Sequence, residues 1–160
     1  MVFVVLGLAS PRLATAQSQQ NSWQASGTVL IVGSNYTVPG GELQYRRTFS
    51  EWSLGGGAQL FYDPTKVCST PSNCTTAGAQ TIVFVEPRWV AGHTDQTAFY
   101  LAGRLGYSGS LGNGGVVYGG GGGLIQILNP TFSLDLGAQV YAAPGSSAVA
   151  QLRAGLSVGF

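Results

Sequence analysis

Taken at alternate positions, the C-terminal residues separate into two sets of different chemistry. Ala148, Ala150, Leu152, Ala154, Leu156, Val158 and Phe160 fall on one side, and Val149, Gln151, Arg153, Gly155, Ser157 and Gly159 on the other. A repeat of two is the repeat of an extended strand, in which successive side chains point to opposite faces. The division recurs upstream. Phe132, Leu134, Leu136, Ala138 and Val140 oppose Ser133, Asp135, Gly137, Gln139 and Tyr141; Phe99, Leu101, Gly103, Leu105 and Tyr107 oppose Tyr100, Arg104 and small residues. Trp52, Leu54, Gly56, Ala58, Leu60 and Tyr62 oppose Ser53, Gly55, Gly57, Gln59 and Phe61. Eight such segments are expected: Trp23–Val32, Gly41–Phe49, Trp52–Tyr62, Thr81–Val90, Thr97–Tyr107, Val116–Ile127, Thr131–Ala142 and Ser147–Phe160. Turn-forming clusters separate them.

The connectors alternate in length. Gly33–Gly40, Asp63–Gln80, Ser108–Gly115 and Ala143–Ser147 are long, whereas Ser50–Glu51, Gly92–Gln96 and Leu128–Pro130 are short. A chain that threads a membrane as a meander, with both termini on the short-turn side, gives this pattern. A strand of about eleven residues, tilted near 40°, covers on the order of 28 Å, close to the apolar core of a bilayer. No run beyond the N-terminal segment is long and apolar enough for a membrane helix.

A soluble barrel would also alternate, so the question is which face lies inside. Charged residues make up 8% of the chain, where an ordinary soluble domain has about a quarter. The polar face holds Gln, Ser, Gly and isolated charges instead of the Lys/Glu mixture of a solvated surface, which places it in the lumen and the apolar face against lipid. The expected fold is an all-β, eight-stranded antiparallel up-and-down transmembrane β-barrel.

On this reading Glu42, Arg46, Glu86, Arg88, Arg104, Asp135 and Arg153 lie inside, where opposite charges must pair. An aromatic girdle of Trp23, Phe49, Trp52, Trp89, Phe99 and Phe132, with Phe160, marks the short-turn interface. Tyr36, Tyr62, Tyr107, Tyr118 and Tyr141 mark the loop side. Arg47 falls on the lipid face, which requires either that it snorkel at the interface or that a bulge shift the register. The glycine run 119–123 leaves the facing of the sixth segment unreadable.

The apolar run Met1–Ser10, followed by small residues at Ala14 and Ala16, predicts a signal peptide over residues 1–16 and a barrel domain over 17–160. Export to an oxidising compartment makes Cys68 and Cys74, the two cysteines of the polar stretch 66–76, an expected disulfide closing a small loop. The spacing Leu152, Ala154, Leu156, Val158, Phe160, with the aromatic residue last, resembles the signal by which outer-membrane barrels are recognised for insertion. With the signal peptide and eight strands, the mature chain resembles the small outer-membrane barrels of the outer membrane protein A and X type. That resemblance implies a bacterial outer-membrane location, with outer-membrane lipids and, during insertion, the barrel-assembly machinery as partners. It transfers no binding residue and identifies no extracellular ligand.

The sequence argues against other chemistry. A formal charge of +1 with a single lysine, Lys66, lacks the basic cluster of a nucleic-acid surface. The glycine runs 55–57 and 119–123 precede no helix, so neither forms a phosphate loop. His93, with Thr94 and Asp95, lies in a short turn on the side away from the long loops and has no serine two residues on; some relatives of this architecture that act on lipid A work near the outer leaflet. No cofactor or metal is expected. The expected role is non-enzymatic, structural or surface-interacting, with a lumen filled by side chains. Two alternatives are a narrow channel for small or apolar solutes and a secreted soluble calyx that binds an apolar ligand.

Overall fold

The computed structural model describes residues 21–32, 36–70, 73–94, 96–109, 115–142 and 148–160, and for 63–70 and 73–77 the backbone alone. The expected signal peptide and the connectors at 33–35, 110–114 and 143–147 lie outside the described residues. Eight strands follow in chain order: β1 (Asn21–Val32), β2 (Tyr36–Phe49), β3 (Trp52–Thr70), β4 (Asn73–His93), β5 (Thr97–Gly109), β6 (Gly115–Ile127), β7 (Phe132–Ala142) and β8 (Val149–Gly159). Each pairs antiparallel with its successor, and β8 pairs with β1. The sheet closes on itself as an up-and-down barrel and leaves no edge within the wall.

The alternation fixes which way each strand faces. Along β1, Gln24, Ser26, Thr28 and Leu30 are buried while Trp23, Ala25, Gly27 and Val29 are exposed. Along β8, Gln151, Arg153 and Gly155 are buried while Leu152, Ala154 and Leu156 are exposed. Large apolar side chains therefore cover the outside: Leu43, Leu54, Leu60, Leu101, Leu105 and Val140 are each more than half exposed. Among the completely buried side chains are Gln44, Gln59 and Glu86. This is the reverse of a soluble protein, in which charge is on the surface and aliphatic bulk in the core.

At the short-turn end the reversals are built locally. Phe49 pairs with Trp52, leaving Ser50–Glu51 as a two-residue turn in which Ser50 takes a φ of 56°. A positive φ at the first central position matches the right-handed twist of the flanking strands. The β6–β7 turn is held by Asn129, whose Oδ1 accepts from the amides of Thr131 (2.8 Å) and Phe132 (2.9 Å). The first and last described residues meet there as well, with the Phe160 amide donating to the Asn21 carbonyl at 3.0 Å.

Several sequence expectations are corrected. Residues 63–70 and 73–80 are not loop but the continuation of β3 and β4, which pair with each other as far as Thr70 and Asn73. The β2–β3 ladder ends at Phe61 and the β4–β5 ladder begins at Thr81, so beyond these residues β3 and β4 form a two-stranded ribbon. This run is rich in Thr and Ser and lacks the apolar alternation that marks the wall. The first connector shortens likewise, since β2 starts at Tyr36. Tyr141 does not belong to the outer aromatic band: it shares the parity of Gln139 and is buried inside. Tyr36 packs against the same interior cluster. The bulge considered for Arg47 is absent, because β2 stays in register with both neighbours there. Arg47 is exposed near the strand end, its guanidinium 5.2 Å from the ring centroid of Phe49.

Candidate functional site

Every wall strand sends alternate side chains inward, so the lumen is where distant parts of the sequence meet. Its content is layered. Toward the loop end Leu30, Val38, Phe61, Ile82, Phe84, Val117 and Tyr141 form an apolar plug, with Tyr36 and Val149 packed against it. These residues share the inward parity of the lumenal charges; the strand pattern puts Phe61 and Tyr141 on that face, but an inner face expected to be polar does not predict an apolar plug. The signal was present: at the loop-side ends of β1 to β4 and of β6, the inward positions are aliphatic or aromatic.

Below the plug lies a charge cluster. Glu86, from β4, is its hub and is completely buried. Its Oε1 accepts from Arg46 Nη2 (2.9 Å) and Arg88 Nε (2.8 Å). Its Oε2 accepts from Arg104 Nε (3.0 Å), Gln139 Nε2 (2.9 Å) and Arg153 Nη1 (3.1 Å). Glu42 bridges Arg104 Nη2 at 2.9 Å and Arg153 Nη1 at 3.0 Å. Asp135 pairs with Arg88 Nη1 and accepts from the Tyr100 hydroxyl at 3.0 Å. The structure thus brings Glu42, Arg46, Glu86, Arg88, Arg104, Asp135 and Arg153 into one network drawn from β2, β4, β5, β7 and β8. An isolated ion at this depth would cost several kcal/mol, and here each guanidinium group lies against at least one carboxylate.

Aromatic rings join the two layers. Arg104 lies over Phe84 of the plug, 3.9 Å from its centroid, and Arg88 over Tyr100 at 4.3 Å. From β5 the Tyr100 side chain reaches over β6 to β7, where glycine makes room for it. A Cβ at Gly137 would lie 2.6 Å from the Tyr100 hydroxyl, and one at Gly123 would lie 2.5 Å from it. The run 119–123 thereby acquires a facing, with Gly119, Gly121 and Gly123 inward in register with Tyr141, Gln139 and Gly137.

The remaining candidates lie apart from this network. The girdle residues Trp23, Phe49, Trp52, Trp89, Phe99 and Phe132 are 38–57% exposed and face outward near the short-turn end. Trp23 meets Tyr45 edge-on at 5.3 Å, and Trp52 lies 6.3 Å from Trp89. His93 ends β4 among exposed residues on the short-turn side. Leu152, Leu156, Val158 and Phe160 face outward along β8. Cys68 and Cys74 are direct partners in the ribbon register, and their side chains lie outside the described residues.

No family model matches the chain, and no curated relative matches it. Solved structures do. Neisserial surface protein A is 13% identical with a TM-score of 0.65, covering 88% of this chain and 96% of that one. Outer membrane protein H of P. aeruginosa is 12% identical with a TM-score of 0.58, covering 86% and 99%. Ail, the attachment invasion locus protein of Yersinia pestis, solved with the heparin analogue sucrose octasulfate, is 13% identical with a TM-score of 0.52, covering 88% and 96%. The fold of this chain is that of the small eight-stranded outer-membrane barrels.

Proposed function

We propose that this chain is an integral protein of a bacterial outer membrane, held there by its apolar outer wall, with a non-enzymatic role carried by the loop-side ribbon. The observation that supports this most is the inverted barrel. Leucine, valine and aromatic side chains cover the outside, while all seven charges of the network are buried within. In water such a surface would aggregate; in a bilayer it is the stable arrangement. The same inversion argues against a soluble calyx, which needs its apolar face inside.

The lumen supports a structural role over transport. A solute would have to pass both the plug and a lattice of ion pairs in a barrel whose interior is only wide enough for its own side chains. That leaves the ribbon as the surface on which a partner would act. Ail was solved with a polyanion, but the chemistry of that ligand does not carry over: the long loop-side segments of this chain hold one basic residue, Lys66.

Two measurements test the reading. Outer-membrane fractions should show heat-modifiable migration on a gel, and planar bilayers containing the refolded protein should show no steady conductance. Partition into the aqueous phase without detergent would defeat the membrane assignment, and a reproducible unitary current would favour the channel.

A further inference from the structure

The lumenal network does not balance. Among the described residues, four guanidinium groups, those of Arg46, Arg88, Arg104 and Arg153, share the buried interior with three carboxylates, those of Glu42, Glu86 and Asp135. One positive charge is uncompensated, and at such depth that is costly.

The geometry indicates where the surplus resides. Arg88, Arg104 and Arg153 each pair with two or more carboxylates, whereas Arg46 pairs with Glu86 alone. The other contacts of Arg46 are uncharged: Nη1 donates to Ser53 Oγ at 2.9 Å and to the Glu86 carbonyl at 3.3 Å. Its Nε is buried with no partner. Beside it, the Gln44 side chain is completely buried and neither its Nε2 nor its Oε1 has a partner. The two groups lie together over Gly55, where an added Cβ would come within 2.7 Å of Arg46 Nη2 and would also meet Gln44 Nε2. Unpartnered buried donors beside an unbalanced cation are rare in folded proteins and call for an explanation.

We infer that Arg46 and Gln44 form a binding site for one small monovalent anion of halide size. One negative charge neutralises the interior, and the two free N–H groups supply the hydrogen bonds. A dianion would overcompensate. The access route is the short-turn end, since the apolar plug occupies the loop end and the inward residues beside the turns include the partly exposed Ser22, Thr48, Ser133 and Ser157. The site is therefore a dead end and not a conduit.

Bromide is the probe. The full refolded protein, in detergent, is unfolded with urea in increasing bromide, with gluconate holding the ionic strength constant, and crystals soaked in bromide are measured for anomalous scattering. The expected result is a bromide peak between Arg46 and Gln44, and a midpoint that rises and saturates with bromide in the wild type. Arg47→Met, on the outer wall, should keep that dependence. Arg46→Met should lose it while still folding, because the substitution removes the surplus charge and leaves Glu86 three guanidinium partners. Gln44→Leu should weaken it several-fold. A lumen without bromide, a wild-type midpoint indifferent to bromide, or an Arg46→Met variant that keeps the dependence overturns the site. Heat-modifiable migration, recorded on the same samples, tells that failure apart from failure of the barrel itself.

Discussion

At the scale of single residues, the interior is governed by Glu86. It holds four guanidinium groups from β2, β4, β5 and β8 and is completely buried, so its removal cannot be offset by solvent. Glu86→Gln keeps the shape and removes the charge, leaving the cationic side chains to repel one another. We expect the variant to lose about 3–5 kcal/mol, the range for a buried ion stripped of its partner, as measured by urea unfolding in micelles; a loss below the error of the measurement would show that Glu86 is not the hub. Ser50 is the opposite case. Its φ of 56° lies in the left-handed region, which costs a residue with a Cβ about 1–2 kcal/mol. Ser50→Gly relieves that strain at the expense of a more flexible unfolded chain, and a net gain of about 0.5 kcal/mol should follow. An unchanged or lower unfolding midpoint would show that Ser50 makes a compensating contact in the turn.

At the scale of elements, the β3–β4 ribbon departs most from the rest of the wall. Measured along β4 from Gln80, the partner of Phe61, to Asn73, it runs about 23 Å beyond the last ladder shared with β2, taking roughly 3.3 Å per residue, while β3 takes up two register shifts over the same span. A hairpin of this kind is marginal in water without further support. Cys68 opposite Cys74 offers that support, because directly paired antiparallel residues have Cα atoms about 4.5–5.5 Å apart, within the span of a disulfide. The expected result is that protein isolated without reductant resists alkylation by iodoacetamide at both cysteines and takes up two adducts once reduced. Two adducts before reduction would rule the bridge out. The wall strands themselves need no such staple, since each is hydrogen-bonded on both sides.

At the scale of the whole molecule, outward and inward positions should respond oppositely to charge. Leu101 faces outward near the middle of β5 and is 55% exposed, next to Ala102, which faces in. An arginine at the bilayer midplane on the outer wall costs about 2–4 kcal/mol. Leu101→Arg should show that penalty when the protein is unfolded from lipid vesicles. A soluble calyx would accept the same change on its wet exterior at almost no cost, so a neutral result would return the calyx to consideration.

The sequence alone determined what depends only on parity and punctuation. Strand number and the assignment of Leu152 and Gln151 to opposite faces follow from a repeat of two interrupted by turn residues. These are local properties, fixed by backbone geometry before any strand finds a partner. The ribbon was illegible for a related reason: its Thr- and Ser-rich run carries no apolar alternation to read. The facing of 119–123 could not be read from glycines and was decided by the register with β5 and β7. The apolar plug and the hub at Glu86 depend on which levels of eight strands come opposite one another. That is set by the stagger with which the barrel closes through β1 and β8, a relation between residues more than a hundred positions apart. Alternation shows that Arg153 and Glu42 both point inward. Only closure puts Arg153 Nη1 3.0 Å from Glu42 Oε1, and only the closed interior leaves Arg46 without a second carboxylate.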